Sequence, residues 1–262
     1  MEEILAFARL EPALTSSIVL TSVGAVGGLI LAAGQTVEII RTVIIVDDAG
    51  VESNLPIEGS RPLILGSANG QEWNPVLQRL PAAALGVFSA VTSAADGSHV
   101  LAVGSRYPEE SVHEPGALFA ATSKNGITWE VVDLAGVPTP GEGSLTMLAQ
   151  AGQEVMLGMA ETGASHLYIA KGLGSGPWRE ISGPRGSTTY VAAGVDSQGL
   201  LLLAGVDEQN ESHLWRGAQG SWEELNLMTT GRVVDLERID DELMAAVSRA
   251  HDSSISALTD IL

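Results

Sequence analysis

The side chains that could do chemistry are mostly carboxylates. The chain carries 32 Asp and Glu against 13 Lys and Arg. Two carboxylates held across a cleft can hydrolyse a glycosidic bond. With so many acids such pairs arise whatever the function, so their presence selects nothing. Asp47, Asp48 and Glu52 are close enough in sequence to hold a divalent cation, but Asp48 leads only into Ala49-Gly50, which is not EF-hand spacing, and a solvated turn is the expectation. The five histidines show no metal-ligand pattern. His166 and His213 recur in the same Ser-His-Leu context, which argues for a structural role; His99 stands at a strand start, His113 in a loop and His251 at a turn. There is no HExxH, P-loop or dinucleotide fingerprint and no nucleophile elbow. Cysteine is absent, which excludes disulfides, thiolate catalysis and Cys-based metal sites. No catalytic residue, cofactor or metal is therefore expected.

Net charge narrows the partners. At −19, with Lys124 and Lys171 the only lysines, the chain repels phosphate backbones and anionic lipid, so nucleic acid and membrane insertion are excluded as main roles. Pro12 to Val37 is uncharged and apolar enough to suggest a membrane span, but Gly24, Gly27, Gly28 and Gly34 interrupt it. The start, Met1-Glu2-Glu3, is acidic, so no signal peptide is expected.

The elements that must position any site come from a repeat. Five segments share a template of strand, short turn and more apolar strand: Ile18 to Thr36, Phe88 to Arg106, Leu145 to Gly163, Tyr190 to Glu208 and Val233 to His251. The second strands, such as Leu29–Gly34, Val100–Gly104 and Leu200–Gly205, are near-continuous apolar runs, as expected for strands covered on both faces. The apolar Pro12–Val37 stretch thus reads as a hairpin. A third strand follows each pair, and in the first four units a fourth begins at a tryptophan: Trp73, Trp129, Trp178 or Trp222. Each tryptophan comes shortly after a glycine turn, Asn69-Gly70 and Asn125-Gly126 being the clearest, with Thr128 before Trp129. Four strands in about 40 to 55 residues is the scale of a propeller blade.

The turn in Thr122-Ser123-Lys124-Asn125-Gly126-Ile127-Thr128-Trp129 resembles the Asp-box, or BNR repeat, of sialidase-like propellers, roughly Ser-x-Asp-x-Gly-x-Thr-Trp. Thr122, Gly126, Thr128 and Trp129 match it, with Lys124 at the Asp position; Ser67, Asn69, Gly70 and Trp73 give a match one residue shorter. The resemblance implies a β-propeller with these turns on the outer part of its blades, and it spans enzymes, assembly factors and phage structural proteins. A sialidase-like enzyme would need an arginine triad, a Tyr–Glu pair and an acid Asp. Its Arg-Ile-Pro signature is absent, since Arg9 precedes Leu10-Glu11 and Arg61 precedes Pro62-Leu63. Tyr107 beside Glu109 and Glu110 is the only tempting pair, and Tyr168 and Tyr190 lie in repeated strands, Tyr168 where the next unit has Trp215.

The resulting expectation is one all-β domain over 1–262, a five-bladed β-propeller of four-stranded antiparallel blades. The N-terminal strand, 1–11, would join the C-terminal blade and close the ring. The blades are expected at 15–80, with a hairpin inserted at 35–61, and at 85–136, 143–184, 188–228 and 231–262. The inserted stretch presents Val37, Ile39, Ile40, Val43, Ile44, Ile45 and Val46, expected to project as an arm and pack on a neighbour. The polar loop from Tyr107 to Gly116 falls at the same point of its blade. The expected role is non-catalytic, a disc that docks other proteins in a larger assembly, with a phage virion part (tail tip or baseplate) first; a cytoplasmic location is the alternative. A glycan-binding or glycosidase-like propeller and a transient assembly factor are the rival expectations.

Overall fold

The computed structural model describes residues 17–46, 52–76, 85–94, 96–107, 117–138, 144–161, 164–173, 176–184, 188–218, 220–227, 231–239, 242–249 and 252–257. These residues form antiparallel sheets built in chain order. Sheet 1 holds β1 (Ser17–Val26), β2 (Leu29–Val46), β3 (Glu52–Ser67) and β4 (Asn74–Pro75). Sheet 2 holds β5 (Gly86–Ser93), β6 (Val100–Arg106), β7 (Leu118–Ser123) and β8 (Glu130–Val132). Sheet 3 holds β9 (Ser144–Ala151), β10 (Glu154–Glu161), β11 (Ala164–Lys171) and β12 (Arg179–Ile181). Sheet 4 holds β13 (Thr188–Val195), β14 (Leu201–Asp207), β15 (Ser212–Ala218) and β16 (Ser221–Leu225). Sheet 5 holds β17 (Arg232–Ile239), β18 (Glu242–Arg249) and β19 (Asp252–Ala257). In each sheet every strand pairs with the next in sequence, so no crossover connection is needed.

The apolar second strands are buried because consecutive sheets stack face to face. One cluster joins sheets 1 and 2 through Leu31, Ile64, Phe88, Ala102 and Phe119; the Phe88 and Phe119 rings lie 4.9 Å apart. A second joins sheets 2 and 3 through Leu101, Val103, Leu157 and Tyr168, and a third joins sheets 3 and 4 through Met156, Ile169, Leu203 and Trp215. A fourth joins sheets 4 and 5 through Leu202, Ala204, Leu236 and Val247. Alternate residues of one strand therefore feed two different clusters. Leu101 and Val103 point to sheet 3 while Ala102 points to sheet 1. That is the physical reason for the unbroken apolar runs.

A repeated glycine ends these runs for a different reason. The first strands of sheets 1, 2 and 4 bulge between Leu20 and Ser22, Phe88 and Ala90, and Tyr190 and Ala192, opposite Gly34, Gly104 and Gly205. A Cβ on Gly34 would overlap the Val19 carbonyl oxygen, and one on Gly104 the Val87 carbonyl oxygen. On Gly205 it would run into the Thr188 side chain. The bulge pushes backbone into the space a side chain needs.

In sheet 1 the two middle strands are far longer than elsewhere. β2 and β3 stay paired from Ile30↔Ser67 out to Val46↔Glu52, so the stretch expected as an inserted hairpin is a continuation of both strands. Among the described residues β1 accompanies β2 as far as Ser17↔Val37. No helix among the described residues is long and apolar enough to cross a membrane. The closing strand expected at 1–11 lies outside the described residues, as do Asp47, Asp48, Glu109, Glu110, His113 and His251.

Candidate functional site

The turns that suggested the repeat have one local design in two copies. After β7, Ser123 Oγ accepts from the backbone N–H of Gly126 at 2.9 Å, while Asn125 Oδ1 accepts from Ile127 and Thr128 at 2.9 and 2.8 Å. Trp129 Nε1 donates back to the Gly126 carbonyl at 3.2 Å. After β3, Ser67, Asn69, Gly70 and Trp73 repeat every one of these bonds, with Asn69 Oδ1 accepting from Gln71 and Glu72. The two turns are thus equal in length. Serine and asparagine, Ser123 and Asn125, fill the bonding positions rather than Thr122 and Lys124; Thr122 Oγ1 donates to the Val100 carbonyl instead. The positive φ of Gly70 and Gly126, 72° and 73°, completes the turn. Gly126 sits over Leu31, Val26 and Leu29 of sheet 1, so this turn also seats one sheet on the next.

Trp178 and Trp222 do something else. The Trp178 backbone N–H donates to the Ala135 carbonyl at 2.8 Å, and its buried ring packs with Leu134 of the preceding unit. Trp222 lies inside β16, and its Nε1 donates to the Ser182 carbonyl at 2.9 Å, across to the chain beyond β12. Both clamp successive units together.

The repeated histidines are built alike. His213 Nδ1 meets Glu224 Oε1 at 2.7 Å and Nε2 meets Asp207 Oδ2 at 3.1 Å, and the ring stacks on Trp215 at 5.5 Å. His166 meets Glu180 at 2.8 Å and stacks on Tyr168 at 6.5 Å. A ring with a carboxylate on each nitrogen is held best as imidazolium, donating both protons. The bond to Glu224, then that to Asp207, raises the His213 pKa, and the same bond from His213 is the main reason the Asp207 pKa is lowered. His99 accepts from or donates to Ser98 at 2.6 Å just before β6.

Two surfaces stand out as places where another molecule could be held. The first is a cavity of about 600 Å³ lined by residues from the first strand of every sheet: Ser22 to Ala25, Val91 to Ser93, Leu148 to Gln150, Ala193 to Val195, and Asp235 with Leu236. A second cavity of about 690 Å³ adjoins it, shares Ser22, Val23, Ile30, Leu148 and Asp235, and adds Trp73, its only aromatic among the described residues. Among the described residues Asp235 is the sole ionisable group lining either. The residue is exposed to the cavity, and the partial burial of its carboxyl raises its pKa against the lowering effect of the Leu236 N–H, which donates at 2.9 Å. Tyr107 is not part of this lining, and its backbone N–H donates to the Leu85 carbonyl at 3.1 Å. Among the described residues no group of three or more His, Asp or Glu could hold a metal.

The second surface is the β2–β3 ribbon. Beyond Val37 it is two strands wide among the described residues, with an ion pair between Glu38 and Arg61 at its base. Ile39 is 57% and Ile44 61% exposed, and Thr42 is exposed between them. Ile40, Val43, Ile45 and Val46 complete β2, with Val37 half-buried at the root.

Stacked four-stranded meanders around a shared cavity define a β-propeller fold, and solved structures with that fold match the chain. One is YCF48 bound to D1 peptide, 16% identical with a TM-score of 0.51, covering 94% of this chain and 66% of that one. Another is the GH93 alpha-L-arabinofuranosidase of Fusarium graminearum with arabinobiose, 12% identical with a TM-score of 0.53, covering 94% and 77%. The GH74 xyloglucanase from Xanthomonas campestris is 16% identical with a TM-score of 0.49, covering 87% of this chain. The chain spans only 43% of that xyloglucanase's length. No protein-family model matches the chain, and no curated protein matches it in sequence.

Proposed function

We propose that the chain is a five-bladed propeller that docks other proteins within a larger assembly and performs no catalysis, the β2–β3 ribbon being the docking element. The observation that carries this is the exposure of Ile39 and Ile44 on a ribbon that leaves its sheet after Val37. Isolated two-stranded ribbons are marginal in water, and exposed large apolar residues on one are a surface awaiting cover. Ring closure is part of the proposal. It is supported by the first strands β1, β5, β9, β13 and β17 together lining one cavity. The terminal segment 1–11 supplies the missing strand of sheet 5 and removes its exposed edge.

Among assemblies, a phage virion, in its tail tip or baseplate, fits best. The acidic composition without cysteine suits a particle component. The fold itself is neutral on this point, since the matched propellers include one holding a peptide and one holding a sugar. The cavity supplies the physical argument against glycoside hydrolysis, which needs two carboxylates. The described lining offers Asp235 alone.

The test is a gentle pull-down of the tagged chain from its source, compared with a chain lacking Glu38 to Glu58. Stoichiometric structural proteins recovered by the full chain and lost on deletion are the expected result. Recovery of the full chain alone would turn the reading to glycan binding, to be followed on a glycan array.

A further inference from the structure

The ribbon has two long edges, and the sequence treats them differently. β3 carries Pro56 and Pro62, which cannot donate to an added strand and blunt that edge. β2 from Glu38 to Val46 has no proline and no glycine, and seven of its nine residues are β-branched. Among the described residues nothing pairs with that edge beyond Ser17↔Val37. At about 3.3 Å per residue this is about 30 Å of backbone left unpaired on that side among the described residues.

The register says which groups face outward. Pro56 stands opposite Thr42. A proline keeps its place in a ladder where no bond is asked of its nitrogen, so Thr42↔Pro56 is a non-hydrogen-bonded pair. The N–H and C=O of Thr42 then point away from β3. Alternation gives the same direction to Ile44, opposite Asn54, and to Val46, opposite Glu52. The exposed side chains of Thr42 and Ile44 share one face beside this row of backbone groups.

Charge decides the occupant. Residues 37–61 hold Glu38, Asp47, Asp48, Glu52 and Glu58 against Arg41 and Arg61, and Arg61 is engaged by Glu38. A second copy of a chain of net charge −19 would bring the same sign to the same place. We propose that the outer edge of β2, from Thr42 to Val46, takes an extended segment of a partner protein by strand addition, and that this segment alternates apolar with basic residues. Backbone bonds to Thr42, Ile44 and Val46 supply the affinity, Ile44 packs on the apolar side chains, and the acids of the ribbon select lysine or arginine.

This rests on the docking reading and sharpens it. The test uses the whole chain with two labelled peptides, one alternating lysine with valine and one alternating glutamate with valine, followed by fluorescence anisotropy. The lysine peptide is expected to bind at least about tenfold more tightly than the glutamate peptide, with the difference shrinking in high salt. Ile44→Pro removes an outward N–H while sparing the bonds to β3, and is expected to weaken the lysine peptide by about tenfold or more; Ile44→Val should leave it unchanged. Circular dichroism and melting of Ile44→Pro check that the chain stays folded. Equal binding of both peptides, unchanged binding to Ile44→Pro, or concentration-dependent self-association through the same edge would overturn the proposal. A partner captured by both the wild type and Ile44→Pro but lost when Glu38 to Glu58 is deleted would keep the docking reading and remove strand addition.

Discussion

Ser17 lies opposite Val37, and from that pair outward β2 continues for nine more residues, to Val46, with β3 as its sole neighbour among the described residues. Inside this pair the middle strands are packed into the first cluster, with Leu31, Ala33 and Ile64 fully buried, while β1 keeps Val19 and Val23 exposed. Everything outside it is ribbon. The pair therefore divides a scaffold, stabilised by sheet-on-sheet burial, from an element on which Ile39 and Ile44 stay exposed. One chain can lose the second without the first, and the account depends on that separation.

The glycine at the bulge is the sharpest test of the scaffold. Gly104→Ala forces the Val87 carbonyl aside in the middle of a stacked sheet and should cost about 3 kcal/mol in urea melts. Gly97→Ala, in an open turn at φ 65°, carries only the left-handed backbone penalty of about 1 kcal/mol.

The paired turns make a prediction about chemistry rather than shape. Asn125→Asp keeps an oxygen acceptor for the N–H groups of Ile127 and Thr128 and should leave stability near that of the wild type. Asn125→Ala hands these two exposed donors to water and should cost about 0.5–1.5 kcal/mol, with the same order at Asn69.

The His213 triad gives stability a pH dependence of known sign. The His213 pKa lies above its unfolded value of about 6.5, so its contribution is complete below that pH and is lost as pH rises through the folded pKa. The Asp207 pKa lies below its unfolded value, so its contribution is present above about 3.8 and fades as pH falls through the folded pKa. The melting temperature of the wild type minus that of His213→Gln should therefore be largest between about pH 4 and 6.5 and shrink toward pH 9. A difference that stays flat over this range would mean the imidazolium is not what the two carboxylates hold.

Asp235 should behave in the opposite way. Burial raises its pKa, and because the residue is exposed to the cavity the effect is screened, so Asp235→Asn should stabilise the chain only slightly at pH 7, with a gain that vanishes in acid. Thermal melts at pH 4 and pH 7 check it.

Most of the sheet architecture was legible in the sequence. Runs such as Val100–Gly104 and Leu200–Gly205 could only be strands covered on both faces, and the clusters on either side of Leu101–Ala102 and Leu202–Leu203 are that cover. Spacing from the tryptophan outward would also have matched the two turns, because Ser-x-Asn-Gly-x-x-Trp is common to 67–73 and 123–129; aligning from Thr122 hid it. The tryptophans looked equivalent because each follows a glycine, yet Trp178 and Trp222 bond across to neighbouring units, which depends on packing between sheets. The same limit hid the His213 triad and Asp235. Asp207, His213 and Glu224 meet only once three strands are in register, and Asp235 becomes a cavity residue only when all five first strands converge.

The most direct test of the account is the chain lacking Glu38 to Glu58, measured for folding and for partner recovery in the same preparation. The account predicts an unchanged cooperative melt and β-sheet spectrum together with loss of the proteins that the full chain retains. A deleted chain that fails to fold, or one that still recovers every partner, would contradict it.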